Sequence, residues 1–296
     1  MSEPAPMRAI CLMGPTASGK TDIAIELSQQ FPCNLISVDS AQVYRGMNIG
    51  AAKPAPEILA LHPHRLIDIR DPTEQYSAGD FCRDAVTAIR EITAKERVPL
   101  FVGGTMLYFQ ALQKGLADLP EADPELRARL DKRALAEGWP MLHTELAELD
   151  PQTAERLRPT DAQRIQRALE VCIISGEPMS TLLAQTLPPA QVEYLNIALI
   201  PSDRSVLHHR IEARFERMLA EGLQTEVEGL LEMPGLDADS PALRAVGYRQ
   251  LVGAITGGMT MAEAREKAVI ATRRLAKRQL TWLRSWPDLH AVDSLA

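Results

Sequence analysis

A phosphate-binding motif lies near the N-terminus of this 296-residue chain. An apolar segment at 8–13 leads directly into Gly14-Pro15-Thr16-Ala17-Ser18-Gly19-Lys20-Thr21, which fits the pattern G-x-x-x-x-G-K-[ST]. The glycines of such a loop let backbone N–H groups turn toward an anion, and the following helix adds its positive N-terminal end. We expect Lys20 to reach the outermost phosphate and the Thr21 hydroxyl to bind Mg²⁺. The motif predicts a site for a di- or triphosphate rather than a glycine-rich turn without a ligand.

Polar residues also follow two other predicted strands. Asp39 comes directly after the segment 35–38, and Thr105 follows 98–102 through Gly103-Gly104. Asp39 is a candidate general base or outer-shell Mg²⁺ ligand, and the alternative is that it caps the start of a helix. The Thr105 hydroxyl could bond a leaving or bridging oxygen, or it could belong to an ordinary turn.

The elements that position these residues alternate in type along the first 115 residues. Strands are predicted at 8–13, 35–38 and 98–102, and helices at 20–30 and 80–95. This alternation predicts an α/β fold, a P-loop NTPase-like parallel sheet flanked by helices, with the site at the carboxyl ends of its strands.

The character of the chain changes after this region. Residues 118–190 are helical in pattern with repeated prolines, a short apolar strand follows at 197–200, and 203–284 is again helical. We therefore predict a core domain of residues 1–117 plus 191–296 and an inserted helical subdomain at 118–190.

Composition and charge narrow the class of protein. Hydrophobic residues make up 46 % and charged residues 24 % of the chain, as in ordinary globular proteins. No apolar run is long enough to span a membrane, and the N-terminus lacks the features of a secretory signal. Four scattered cysteines (Cys11, Cys33, Cys82 and Cys172) are expected to be buried free thiols. These features predict a cytoplasmic protein without a membrane partner.

The net charge of the whole chain is −7, but a segment near the C-terminus is strongly basic. Seven Arg and Lys residues and a single acid, Glu266, lie between Arg265 and Arg284. On a helix, Val269, Ala276, Leu280 and Leu283 would share one apolar face with basic residues beside it. Either solvation or contact with a phosphate backbone explains such a face, and we favour the latter because no acid interrupts residues 267–284.

Two other predicted helices carry arginines. Thr160 to Gln163 fits a capping box, which predicts that a helix begins there with Ile165, Leu169 and Cys172 buried. Its remaining face offers amides and guanidiniums to an RNA, although a solvated face would have the same pattern. On the other helix, Arg210, Arg214 and Arg217 recur at helical spacing, and surface ion pairs with Glu212 and Glu216 are the simpler interpretation.

Seven segments together resemble one family, the bacterial tRNA dimethylallyltransferases, also called isopentenyl-tRNA transferases. The resemblance covers nearly the whole chain in order, and its segments are 14–21, 39–50, 64–68, 76–81, 103–108, 244–250 and 272–284.

This resemblance implies a reaction. Members of the family transfer a dimethylallyl group from dimethylallyl diphosphate to the exocyclic amine of the adenosine 3′ of the anticodon, assisted by Mg²⁺. The loop at 14–21 would then hold a diphosphate leaving group rather than ATP. The resemblance also implies that Asp39 takes the proton from the attacking amine, that Thr105 lies beside the acceptor and the diphosphate, and that Arg214 binds the diphosphate.

The resemblance further implies that the anticodon stem-loop of tRNA is bound, with the target base swung out of its stack. We expect the protein to act as a monomer. The residues that match the family's tRNA-contacting positions are Asp39, Ser40, Ala41, Gln42, Thr105, Arg127, Gln163, Arg164, Ile165, Gln166, Arg167, Arg244, Gly247, Tyr248, Arg249, Lys277, Arg278, Gln279 and Arg284.

Two alternative functions use the same fold. An ATP-dependent small-molecule kinase would need a second acidic metal ligand and an arginine-rich lid. Asp39 is the single carboxylate predicted at a core strand end, and residues 116–190 hold thirteen acids against eight bases. A nucleotide-gated RNA-binding switch would bind RNA without forming a product.

Overall fold

The structure, a computed structural model, describes residues 7–117, 119–186 and 188–294. The chain forms two compact units. The sheet unit comprises Met1–Gln113 and Pro189–Ala296, and the helical unit comprises Lys114–Pro188.

The sheet unit contains one parallel sheet of six strands in the order β3-β2-β4-β1-β5-β6. The strands are β1 (Met7–Met13), β2 (Cys33–Val38), β3 (His64–Arg65), β4 (Val98–Gly103), β5 (Val192–Ile200) and β6 (Leu289–Asp293). The four predicted strands are present as β1, β2, β4 and β5, although β2 begins two residues and β5 five residues earlier than predicted. The other two lie at the edges and were not predicted, because β3 has only two residues and β6 is too exposed to show an apolar pattern.

Helices account for most of the remaining chain. They are α1 (Lys20–Gln30), α2 (Pro56–Leu61), α3 (Ala78–Thr93), α4 (Met106–Lys114), α5 (Pro124–Glu137), α6 (Trp139–Leu149), α7 (Pro151–Arg156), α8 (Ala162–Ser175), α9 (Met179–Ala184), α10 (Arg204–Ala220), α11 (Leu223–Leu231), α12 (Tyr248–Ile255) and α13 (Met261–Arg284). The bounds predicted for α1 are confirmed. Helix α3 begins two residues earlier than predicted because Ser77 and Asp80 form a capping box. None of the described helices combines the length and apolar composition of a membrane span.

Apolar side chains cover both faces of the sheet. On one face, Leu12 and Leu100 share a cluster with Ala24 of α1. On the other face, a larger cluster contains Phe81 of α3 and Tyr108 of α4, whose rings stack with centroids 4.5 Å apart. Burial of both faces explains the nearly continuous apolar runs of the central strands. All four cysteines are buried and free, as predicted.

The helical unit has a separate core. Leu126 of α5, Leu142 of α6, and Ile165 and Leu169 of α8 lie in one buried cluster. The apolar stripe predicted for α8 is confirmed, but its capping box is wrong. A turn closed by the Asp161 N–H and the Arg158 carbonyl moves the N-cap to Asp161, whose side chain makes no capping bond. Gln163 is therefore one position too early to complete the box.

Candidate active site at the carboxyl edge of the sheet

The loops that follow β1, β2 and β4 meet at one edge of the sheet. Gly103 is paired with both Met13 and Val38, so the three strands end at the same level. A Cβ on Gly103 would collide with the Val38 carbonyl, and one on Gly14 would lie 2.7 Å from the Leu199 carbonyl oxygen. Glycine at these positions permits the close approach of the loops.

The phosphate-binding motif folds as a tight loop before α1. Ala17 and Gly19 have φ angles of 64° and 88°, and Ser18 N–H donates to the Pro15 carbonyl at 3.3 Å. A non-glycine residue with a positive φ is uncommon and occurs often at functional sites. Gly19 caps α1 without a side-chain bond, so no capping side chain occupies the first N–H groups of this helix. These groups can therefore bind an anion.

Lys20 lies inside this loop and is buried. Its ammonium donates to the Pro15 carbonyl at 2.7 Å and to the Ser18 hydroxyl at 3.4 Å. Burial, followed by the positive charge of Arg214, lowers the pKa of Lys20 to about 7, although the charge of Asp39 opposes the shift. Burial likewise lowers the pKa of Arg214, and Asp39 again opposes the shift. Lys20, Arg214 and Asp39 thus influence one another's charge, and we call these three residues the loop cluster.

Arg214 is partly buried on α10. The expected surface ion pairs within this helix are wrong, because its two glutamates bond to α13 instead. Glu212 accepts from Arg273 at 3.1 Å, and Glu216 accepts from Arg265. The tertiary packing of the two helices thus leaves the side chain of Arg214 to the loop cluster.

Asp39 begins a turn rather than a helix, so the helix-cap alternative is wrong. Its Oδ1 accepts from the N–H groups of Ala41 at 2.8 Å and Gln42 at 3.3 Å. The Thr105 hydroxyl oxygen accepts from Ser40 N–H at 3.2 Å. The predicted base and the predicted acceptor-side hydroxyl are therefore held in neighbouring loops.

Two glutamines expected to contact tRNA bond to the protein instead. Gln42 donates to the carbonyls of Ala51 and Ala52 at 3.2 and 3.3 Å and accepts from the Ser37 hydroxyl at 2.8 Å. Gln279 is buried, and its amide bonds the phosphate-binding loop and the loop after β4. Packing at this edge makes both side chains part of the site's support.

Tyr248 was also expected to contact tRNA, but its side chain is fully buried. Its hydroxyl donates to Glu226 at 2.6 Å and accepts from Ala51 N–H at 3.1 Å. The carboxylate of Glu226 accepts from the N–H groups of residues 48, 49 and 50 at 2.9, 2.7 and 3.1 Å. No local pattern in the sequence pointed to Glu226, because it bonds a loop about 180 residues away. Together the two side chains fix the loop that Gln42 also contacts.

The exposed predicted tRNA-contacting residues of the sheet unit are mostly basic. Lys277, Arg278 and Arg284 lie exposed on α13, and no ion pair to them occurs within the described residues. Arg244 and Arg249 are exposed near the start of α12, whereas Gly247 between them is buried with a φ of 97°.

The helical unit presents its own basic residues. Arg127 bonds the buried Glu170 at 2.8 Å through two nitrogens, and Arg167 bonds the same carboxylate at 2.5 Å. Burial opposes ionisation of Glu170, but bonds from both arginines and from Asp123 N–H outweigh it and lower its pKa to about 2. We call Arg127, Arg167 and Glu170 the helical cluster. Glu170 was not predicted, because a single acid on a helix has no distinguishing pattern.

The other predicted residues of α8 differ in exposure. Gln163 and Arg164 are exposed, and Gln166 donates to Asp131 at 2.7 Å. The side chain of Ile165 is fully buried in the core of the helical unit, as the predicted apolar stripe requires. The apolar packing of α8 turns this residue inward.

A metal site made by protein side chains alone is absent from the described residues, which contain no suitable group of three His, Cys, Asp or Glu. Thr21 follows Lys20 in the first turn of α1, and Asp39 supplies the carboxylate of the loop cluster. Mg²⁺ prefers such oxygen ligands and is commonly bound by one or two of them together with substrate phosphates. The residues therefore fit Mg²⁺ bound jointly with a diphosphate.

Sequence comparisons relate the chain to prenyl-transferring enzymes. A family model described as IPP transferase matches residues 42–286, and one described as isopentenyl transferase matches residues 7–74. The tRNA dimethylallyltransferase of Thiobacillus denitrificans is 57 % identical over 97 % of this chain and 92 % of its own length. That of Thioalkalivibrio sulfidiphilus is 55 % identical over 99 % and 92 %.

Solved structures agree. The tRNA isopentenylpyrophosphate transferase of Bacillus halodurans has a TM-score of 0.71 and 36 % identity, with 97 % of this chain and 90 % of that chain covered. A eukaryotic dimethylallyltransferase acting on tRNA has a TM-score of 0.81 at 23 % identity, which shows a shared fold over 97 % of this chain and 74 % of that one. The length and identity of these matches, together with the residues gathered at the sheet edge, show that this chain belongs to the tRNA dimethylallyltransferase family.

Proposed function

We propose that this protein transfers a dimethylallyl group from dimethylallyl diphosphate to the exocyclic amine of the adenosine 3′ of the anticodon in tRNA. The allylic carbon–oxygen bond breaks and its electron pair leaves with the diphosphate. A carbon–nitrogen bond forms to the adenine, and the amine loses one proton. The protein therefore has to stabilise a leaving anion and accept a proton.

Residues 14–21 and Arg214 would stabilise the leaving diphosphate. The loop amides and Lys20 face the anion in such motifs, and Arg214 adds a second positive charge to the same cluster. Two cations next to each other lower each other's affinity for a proton, and a bound diphosphate relieves this repulsion. The loop cluster thus favours the state in which negative charge develops on the diphosphate.

Asp39 would accept the proton from the amine. Its Oδ1 is bonded to two backbone N–H groups, which fixes the carboxylate and leaves Oδ2 for the substrate. Thr105, bonded to Ser40 N–H, would orient the acceptor beside the diphosphate.

Mg²⁺ would be held by the Thr21 hydroxyl and the diphosphate oxygens, with Asp39 in its outer shell as the alternative to its role as base. When bound, the ion supplies positive charge to the leaving group. The residues of this chain hold and orient the diphosphate, and they move the proton, as described above.

The tRNA would be bound by exposed basic residues. In the sheet unit these are Lys277, Arg278, Arg284, Arg244 and Arg249. In the helical unit the candidates are the exposed Arg164 and the partly exposed Arg127 and Arg167, because guanidiniums suit both phosphates and exposed base planes.

The meeting of the phosphate-binding loop with the loops of Asp39 and Thr105 at one edge of the sheet is the observation that carries the proposal. The test is mass spectrometry of unmodified tRNA after incubation with the protein, Mg²⁺ and dimethylallyl diphosphate. We expect a prenyl adduct on the adenosine 3′ of the anticodon. Transfer of labelled phosphate from ATP to a small molecule would instead support a kinase, and tight tRNA binding with no product would support a switch.

A further inference from the structure

Gln279 is a polar residue on the buried face of α13. Its neighbours on the buried face of α13, Ala276, Leu280 and Leu283, are all apolar. Gln279 is only 7 % exposed. Burying an amide is unfavourable unless its polar atoms are bonded. Both ends of this amide are bonded, which points to a specific role for the side chain.

The two bonds of Gln279 join the loops that would hold the two substrates. Its Oε1 accepts from Thr16 N–H at 2.9 Å, in the phosphate-binding loop. Its Nε2 donates to the Gly104 carbonyl at 2.8 Å, next to Thr105. A Cβ on Gly104 would collide with Nε2, so glycine at 104 lets the amide come this close.

The link extends to the candidate base. Thr105 accepts from Ser40 N–H at 3.2 Å, and Asp39 closes the same turn through Ala41 N–H at 2.8 Å. Hydrogen bonds therefore run from the diphosphate loop through Gln279 to the loops of Thr105 and Asp39. All of these residues belong to the sheet unit.

We propose that Gln279 is a positioning residue that sets the spacing between the diphosphate-binding loop and the loop carrying Thr105. This inference rests on the proposed function, because it concerns the alignment of the two substrates of that reaction. Group transfer requires the reacting atoms to meet at about 3–3.5 Å, and a small displacement of one loop has a large effect on rate. The inference replaces direct tRNA contact as the role of this side chain.

Two substitutions test it. Gln279→Met keeps the length of the side chain and removes both bonds. Gln279→Asn keeps the amide but is too short by one methylene to reach both loops. Thr272→Val is the matched control, because the Thr272 hydroxyl on the same helix bonds only the Ala268 carbonyl of that helix. Melting temperatures verify that each variant is folded, and Gln279→Asn keeps the test valid if the methionine variant does not fold.

We expect the transfer rate at saturating tRNA and dimethylallyl diphosphate to fall about 10- to 100-fold in both variants. The Kd for tRNA, measured by filter binding, should stay close to that of the wild type. The control should match the wild type in both measurements. A double variant supplies a second measurement, the non-additivity of the two rate effects, which general destabilisation would not produce. In a Thr105→Ala background, Gln279→Met should cost less than about threefold, because the two residues act through one loop.

Three results would overturn the inference. One is an unchanged rate in both variants. Another is a raised tRNA Kd with an unchanged rate at saturation, which would mean that Gln279 contacts the RNA. The third is full multiplication of the two effects in the double variant. Failure of the wild-type protein to form prenylated tRNA contradicts the proposed function itself, and this outcome is distinct from the other three.

Discussion

In the sheet unit, the charges of Lys20 and Arg214 both interact with the carboxylate of Asp39. Neither cation forms an ion pair with Asp39 in the described part of the chain. In the helical unit, Arg127 and Arg167 also share a carboxylate, but Glu170 accepts bonds from both. Each cluster has two cations and one acid. In the first, burial and then the charge of Arg214 lower the pKa of Lys20 to about 7. In the second, burial opposes ionisation, but bonds from the two arginines lower the pKa of Glu170 to about 2.

The difference lies in whether the charges satisfy one another. In the helical cluster both guanidiniums bond the carboxylate directly, so the cluster stabilises its own unit and holds the two guanidiniums in fixed positions. The loop cluster retains unbalanced positive charge in a buried place, which disfavours the protein without a ligand and favours an anion. A cluster of the first kind supports structure, and one of the second kind indicates a site for chemistry.

The largest effect is expected at the acid of the loop cluster. Asp39→Ala removes the proposed base, and the transfer rate should fall about 10²- to 10⁴-fold while tRNA affinity stays nearly intact. Single-turnover kinetics and filter binding measure the two quantities. Asp39→Asn is the control, because its amide oxygen can still accept from Ala41 N–H and keep the turn. Retained activity in Asp39→Asn would exclude the role of base, and collapse of tRNA affinity would make Asp39 a binding residue.

The acid of the helical cluster should affect stability instead. Glu170→Gln leaves two partly buried guanidiniums without a charged partner, and we expect a loss of about 2–3 kcal/mol in the free energy of unfolding. Denaturant unfolding followed by circular dichroism measures this loss. The control is Glu145→Gln, whose pair with Arg133 in the same unit is exposed, and it should cost less than about 1 kcal/mol. Equal losses in the two variants would remove the distinction drawn for Glu170.

The same cluster predicts a pH dependence. The pKa of Glu170 is lowered from 4.5 to about 2 in the folded protein. A lowered carboxyl pKa stabilises the fold fully above the unfolded value, and this contribution disappears as the pH falls from 4.5 through 2. Unfolding experiments across this range should show a steeper acid limb in the wild type than in Glu170→Gln.

Lys277 and Arg278 differ from both clusters, because they are exposed and no ion pair to either occurs among the described residues. Removing Lys277 and Arg278 together should weaken tRNA binding and reduce the slope of log Kd against log salt by about 2. The control removes Arg265 and Arg273, which lie on the same helix but are paired with Glu216 and Glu212. The control slope should change less. An unchanged slope for Lys277 and Arg278 would exclude this part of α13 from the RNA interface.

The smallest effect concerns the lysine of the loop cluster. With its pKa near 7, Lys20 loses its proton above neutral pH, and binding of inorganic pyrophosphate must then restore it. The Kd should rise by up to about tenfold per pH unit above 7 from this group. Calorimetry against the Lys20→Arg variant corrects for the titration of pyrophosphate, because arginine keeps its charge. Identical pH slopes in the two proteins would contradict the shift.

Parts of this comparison could be predicted from sequence. The motif at 14–21 and the strands before Asp39 and Thr105 identified the three loops, because local patterns determine strands, and parallel strands end at one edge. The amphipathic pattern of α13 likewise predicted the buried residues Val269 and Leu283. These inferences needed only the order of residues along single elements.

Other features depend on residues far apart in the chain. Glu226 bonds a loop about 180 residues away, and Gln279 bonds two loops that precede it by at least 175. The family resemblance implies that Tyr248, Gln42 and Gln279 contact tRNA. Tyr248 and Gln279 are buried and Gln42 is partly buried, because each bonds partners that no local pattern reveals.

The sequence by itself determined the chemistry available to this protein: a loop able to hold a diphosphate, an acid and a hydroxyl after neighbouring strands, and basic helices. The tertiary structure decided which of these charges remain unpaired. Arg214 is left to the loop cluster because Glu212 and Glu216 bond α13, whereas Arg127 and Arg167 are paired because Glu170 is buried beside them. The physical reason is that a charged side chain without a directly bonded partner is more available to a ligand. Which side chains have such partners depends on packing, and packing is a property of the whole fold.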